Sequence, residues 1–219
     1  MTRIIVIGEG PTEQVFCNDV LQPVFNAQDK FIETPKIKKS QGGIVHWKAL
    51  KKQIELHLKE SGVYVTTLID YYGLYPYHEF PEWDDAQKIV NMSERISFLE
   101  NAMQAEIEES IRYRFIPYIQ MHEFEGLLFS DISIFEENFD EDEFSDHDYL
   151  IETDKRFDNP EDINDGKLTA PSKRLGRILG NYSKVVYGSL LAQEIGLGKI
   201  QERCPRFNHW IESLLSIKK

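Results

Sequence analysis

The sequence predicts an α/β fold built on a mainly parallel sheet flanked by helices. The first observation is the order of elements: apolar runs and segments of helical period alternate as β-α-β-α-β-α-β-α, the pattern of parallel crossovers. The second is size and composition. At 219 residues, 41% hydrophobic and 12% aromatic, the chain suits one domain with an elaborated edge, or a domain and a small subdomain. The third is that no stretch approaches the ~18 apolar residues of a membrane span.

"RIIVIG" (3–8) reads as a buried strand, followed by a helix from Pro11 to about Phe25. "FIETPKIK" (31–38) is a second, interrupted strand, and "SQGG" (40–43) a loop. Residues 45–60 form a helix with an apolar stripe at Trp47, Leu50, Ile54 and Leu58, spaced by three and four. "VYVTTLID" (63–70) is a strand ending on an acid, and 71–83 an aromatic loop. Ile89, Met92, Ile96, Leu99, Met103, Ile107 and Ile111 predict one long helix over about 85–113. "FIPYIQ" (115–120) is the last strand, and two short helices are expected around 184–195 and 207–217.

The formal net charge of −12 is unevenly spread. Residues 136–165 hold 14 acids and two bases, whereas 166–219 hold three acids and ten bases. The expected organisation is a core over 1–135, an acidic surface excursion over 136–165, of which 138–158 is expected to be dispensable for folding and poorly ordered or loosely packed, and a basic helical part over 166–219 packed on the core. An acidic total does not exclude an anionic partner elsewhere. Cys17 and Cys204 stand far apart with no CxxC, the pattern of buried thiols in a reducing compartment. The strand pattern at the very start leaves no signal peptide visible, and the expected location is cytoplasmic.

The chemistry starts at Gly8-Glu9-Gly10-Pro11-Thr12-Glu13. It nearly spells a dinucleotide fingerprint, but Glu13 stands where Gly is required, and no Gly-Lys-Ser/Thr phosphate loop follows. Glu9 at a strand tip would face a phosphate with the wrong charge unless a divalent cation lay between them. Pro11 suits a first helical position, so Glu13 falls in a first turn, where an acid favours the helix dipole. A capping role and a ligand role for Glu13 stand side by side. Nothing in the sequence gives Glu9 a structural partner. Asp70 ends the 63–70 strand, and "HEFEG" (122–126) supplies Glu123 and Glu125. Those two acids either join the cation, pair with lysines or cap a helix. Oxygen ligands fit Mg²⁺ or Mn²⁺ rather than zinc. "HEFEG" lacks the second histidine of HExxH, and the acidic stretch fails as an EF-hand, with Phe144 at a ligand position.

A strand, then "EGPTE" (9–13), then a strand ending in Asp resembles the Toprim fold of topoisomerases, primases and OLD-type nucleases. "QGG" (41–43), "IDYYGL" (69–74), "HEFEGLLFSD" (122–131), "APSKRL" (170–175) and "CPRFNHW" (204–210) extend the resemblance to a small Toprim-like family, often encoded beside AAA- or ABC-type ATPases in prokaryotic defence loci. The resemblance implies Mg²⁺ held by Glu9 and Asp70, with Glu13 as the second glutamate of the OLD-type variant. Position 72 is Tyr where the family's Asp-x-Asp has its second acid, so Glu123 or Glu125 is the expected substitute. Glu9, Asp70 and Glu125 are the expected catalytic residues.

Two basic groups offer a path to nucleic acid. Residues 30–52 hold seven lysines and one acid; Lys38, Lys39, Gln41, Gly42, Gly43 and Lys51 are its candidate phosphate contacts. Lys173, Arg174, Lys184 and Arg206 are those of the C-terminal part. The expected function is a Mg²⁺-dependent nuclease working with a partner ATPase; the alternative is a non-catalytic binding module regulated by such an ATPase.

Overall fold

The computed structural model describes residues 1–38, 43–164, 166 and 168–218. It divides into two compact units, Met1–Gln120 with Trp210–Lys219, and Met121–His209. The sequence reading places its first boundary at 135.

The first unit is a five-stranded parallel sheet flanked by helices. β1 (Thr2–Gly8), β2 (Lys30–Glu33), β3 (Val63–Asp70), β4 (Phe115–Ile116) and β5 (Ile119–Gln120) lie in the order β2-β1-β3-β4, with β5 also on β3. All four pairings are parallel. Ile4, Ile5, Val6 and Ile7 are buried, as a strand covered on both faces must be. The predicted strand 115–120 is split in two at Pro117, which has no N–H for the ladder. Beside the break, the Thr67 hydroxyl donates to the Tyr118 carbonyl (2.9 Å) and accepts its N–H (3.0 Å), replacing the missing rung.

The first helical run comprises α1 (Pro11–Phe16), a π-helical stretch (Cys17–Leu21) and α2 (Gln22–Asn26), close to the predicted 11–25. The π stretch lies just before Pro23, which cannot donate a helical hydrogen bond. α3 (Trp47–Leu58) buries Trp47, Leu50, Ile54 and Leu58, the stripe predicted. The expected single helix over 85–113 is instead α4 (Trp83–Ala86) and α5 (Met92–Ala105). Local capping explains the break: the Asn91 side chain accepts from Glu94 N–H (3.0 Å), and the Arg95 guanidinium donates to the Ile89 carbonyl. At the other end of the chain Trp210 is buried, stacked on Tyr118 at 4.4 Å, and donates to Thr66 Oγ1 at 2.8 Å.

The second unit is helical. Short 3-10 turns over Phe124–Ser130 are buried throughout. α6 (Ser133–Asn138), α7 (His147–Arg156), α8 (Pro171–Leu179), α9 (Ser189–Arg203) and α10 (Pro205–Leu215) follow; α10 runs into the first unit's share of the chain. α8 is absent from the sequence reading. The acidic stretch corrects an expectation: it is folded rather than loose. Within 138–158, Phe139, Leu150 and Thr153 are buried. Leu150 and Thr153, three residues apart, are the buried positions of α7, while Asp148 and Glu152 are exposed. Both cysteines are buried and free; burial pushes the Cys17 thiol up to about 12.

Candidate functional site

β1 ends at Gly8, opposite Leu68, while β3 continues to Asp70. Beyond Gly8 there is no β1 backbone to accept the Asp70 N–H, and the Glu9 carboxylate takes it, Oε1 to N at 2.7 Å. The two acids therefore meet at neighbouring strand tips, on the C-terminal edge where parallel sheets place ligands. This bond also corrects the expectation that Glu9 lacks a structural partner: it caps the end of β3. Both residues are half-buried.

Two glycines surround the carboxylate. A Cβ on Gly73 would lie 3.3 Å from Glu9 Oε1 and 3.5 Å from Oε2, and one on Gly43 would lie 3.9 Å from Oε2. Gly43 also has φ +95°, a conformation suited to glycine. A side chain at 73 would fill the space beside the carboxylate. Glu13 is buried, and its Oε2 accepts the Gly10 N–H at 2.8 Å, the glutamate half of a capping box at the start of α1. A Cβ on Gly8 would come 2.9 Å from Glu13 Cβ, so Gly8 lets Glu13 fold back.

Glu123 and Glu125 belong to the second unit, and each has a partner there. Glu123 Oε2 accepts the Ser172 N–H at 2.8 Å in the first turn of α8. Glu125 is 2% exposed, with Oε2 3.3 Å from Lys184 Nζ. Burial raises the Glu125 carboxyl above the usual carboxylate range; Lys184 opposes that and Glu123 adds to it. Among the described residues, no three His, Cys, Asp or Glu side chains form a group able to hold a metal.

The expected phosphate contacts have varied surroundings. Lys38 is exposed, and Gln53 holds its segment by accepting the Lys38 N–H (2.8 Å) and donating to the Lys36 carbonyl (3.0 Å). Lys39, Gln41 and Gly42 lie outside the described residues. Lys51 pairs with Glu106 at 3.0 Å, whereas Lys48 and Lys52 on the same helix are exposed. Lys173 is exposed. Arg174 is buried and donates to the Thr169 carbonyl, the Tyr149 hydroxyl and Thr153 Oγ1. Lys184 serves Glu125, and the Arg206 N–H donates to Glu161 at 2.8 Å. Gly73 escaped the sequence reading as part of the site; its only signal is its place three residues after the strand-ending acid.

No helix among the described residues is long and apolar enough to cross a membrane. No curated protein and no solved structure matches the chain. Residues 8–215 match the family described as Domain of unknown function (DUF4276). That span includes both strand-tip acids, the glycines beside them and all of the second unit, and the chain belongs to the DUF4276 family.

Proposed function

We propose that the protein is a divalent-cation-dependent nuclease whose site is the Glu9–Asp70 edge, working with a partner ATPase. The observation that carries this is two acids at adjacent parallel strand tips, the Glu9 carboxylate bonded to the Asp70 N–H, with the Gly43 and Gly73 backbone close beside it. The residues fit Mg²⁺ or Mn²⁺ in one way only. Mg²⁺ is commonly held by one or two carboxylates and completes its shell with water and phosphate oxygens, so Glu9 and Asp70 suffice. A cation caged wholly by protein does not fit, because among the described residues no third acid joins them. When bound, the cation would offset charge on the scissile phosphate and acidify a water.

The chain's own residues do the positioning. The Asp70 N–H fixes the Glu9 carboxylate in one orientation, so the acid is set before any ligand arrives. Gly73, lacking a Cβ, lets the backbone pass close beside it. Exposed Lys38, Lys48 and Lys52 supply positive charge for a phosphate backbone. The partner ATPase rests on the resemblance to Toprim-like proteins alone.

A second reading is the non-catalytic module. It is favoured by the capping bond, which gives Glu9 a structural reason to exist, and by Tyr72 at the place of the family's second aspartate. Labelled DNA and RNA incubated with the protein in Mg²⁺, Mn²⁺ or EDTA decide between them. Cleavage that needs the cation and disappears in Asp70→Asn supports the enzyme. Intact substrate under all conditions, with and without an ATPase, leaves the module.

A further inference from the structure

The segment after Asp70 is rich in aromatic rings, and exposure divides them. Tyr71 is buried, its hydroxyl placed between Gln87 and Arg95. Phe80 is buried against Trp47, centroids 5.5 Å apart. Tyr75 and Tyr77 are instead 50% and 62% exposed. Their rings stack on one another, 5.4 Å apart and within 6° of parallel.

This pair is held firmly. His78 lies buried against both rings, 4.2 Å from Tyr77 and 5.9 Å from Tyr75. Its Nδ1 accepts the Tyr75 N–H at 3.1 Å, and its own N–H donates to the Tyr75 carbonyl. Pro76 fixes one backbone angle between them. Glu79 and Glu82 take left-handed φ of +55° and +56°, uncommon for residues other than glycine and costly unless the surroundings enforce them. A rigid loop that keeps two stacked rings in water is pre-organised for a flat partner.

Its position ties it to the acid pair. Gly73, beside the Glu9 carboxylate, precedes Tyr75 by two residues, so their Cα atoms are within about 7 Å. On the other side, His46 meets His78 edge-on at 6.3 Å and Trp47 meets Phe80, joining the loop to the start of α3 and its exposed Lys48 and Lys52.

We infer that Tyr75 and Tyr77 are a base-stacking platform, and that the site takes single-stranded nucleic acid, DNA or RNA. This rests on the nuclease reading and names its substrate. In a duplex both faces of each base are covered by neighbours; only an unpaired base can lay its face on a tyrosine. The strand's phosphates then run toward Lys48 and Lys52, away from Glu82, Asp84 and Asp85 at the far end of the loop.

The test is fluorescence anisotropy in EDTA, with labelled oligonucleotides as single-stranded DNA, single-stranded RNA and the matching duplex. Binding without metal separates this inference from the cleavage reading, which the Mg²⁺ and Mn²⁺ assay judges independently. Wild type is expected to bind a single strand at least tenfold more tightly than duplex, and the DNA and RNA arms identify the source. Tyr77→Ala is expected to weaken single-strand binding about tenfold, within the range seen for one lost base stack. Tyr77→Phe is expected to retain it, because the ring face remains. Circular dichroism of Tyr77→Ala should be unchanged, since the ring is exposed. Equal binding of strand and duplex, no binding at all, an unaffected Tyr75→Ala/Tyr77→Ala double variant, or equal losses in Tyr77→Phe and Tyr77→Ala would each overturn the platform.

Discussion

The acids of the two units have contrasting surroundings. In the first unit, Glu9 and Asp70 stand half-buried at strand tips, and the bond between them uses a backbone N–H. In the second, Glu123 serves a helix N-terminus, Glu125 faces Lys184, and Glu161, 1% exposed, accepts the Arg206 and Phe207 N–H groups. A carboxylate on a helix start satisfies donors that the helix itself cannot, and a buried one needs such partners to remain tolerable. The contrast teaches that an acid's place in sequence says little about its work. What sets Glu9 apart is its setting at a strand tip, with the backbone of Gly43 and Gly73 close against its carboxylate.

The sharpest way to break the contrast is to neutralise one acid from each unit. Glu9→Gln is expected to lower cation-dependent cleavage on the order of 100-fold, as loss of a key electrostatic group does, and to abolish Mn²⁺ binding by calorimetry. The fold should survive, because the glutamine oxygen still accepts the Asp70 N–H. Unchanged Mn²⁺ affinity would remove Glu9 from the site. Glu125→Gln should do the reverse: intact Mn²⁺ affinity, with unfolding free energy moved by about 1 kcal/mol. If Glu125→Gln loses the cation instead, the contrast collapses and the third carboxylate expected from the sequence returns.

Glu123→Ala tests the cap. Losing the acceptor for the Ser172 N–H is expected to cost about 1 kcal/mol in urea denaturation while cleavage stays at wild-type rate. A loss of cleavage with unchanged stability would mean that Glu123 is a ligand after all.

The smallest effect is a pH slope. Burial raises the Glu161 carboxyl from 4.5 to about 7. Between those values the folded chain binds more protons than the unfolded one, so this group's contribution falls as pH rises from 4.5 past 7. Glu161→Gln keeps an acceptor for one of the two N–H groups and carries no charge. Its melting temperature relative to wild type should therefore climb across that window. A constant difference from pH 5 to 8 would show that Glu161 does not titrate there.

The sheet was legible from the sequence because strand and helix periods differ plainly: the α3 stripe and the β1 and β3 runs fall where their spacing puts them. The break before α5 was not, because Asn91 and Arg95 act through caps that leave the apolar spacing undisturbed. The acidic stretch misled for a related reason, since composition registers its 14 acids and not the placement of Leu150. At the site, the adjacency of Glu9 and Asp70 was foreseeable from parallel topology. The bond between them was not: it depends on β1 stopping two residues before β3, a register that no single strand reveals. Arg174 looked available for phosphate because nothing in "APSKRL" shows its burial against Tyr149.

Trp210 imposes an order on biosynthesis. Its ring completes the packing over Thr66 and Tyr118, yet 144 residues separate it from Thr66. At a synthesis rate of about 5–20 residues per second, a nascent chain holds β3 for roughly 7–30 s before its last packing partner is made. Once residue 120 is made the first unit has its strands but not its cover, and the whole second unit must be translated before Trp210 follows. A ribosome that stalls anywhere in 121–209 therefore leaves the sheet unfinished, which makes the carboxyl-terminal turns a quality check on a fold that begins at residue 2.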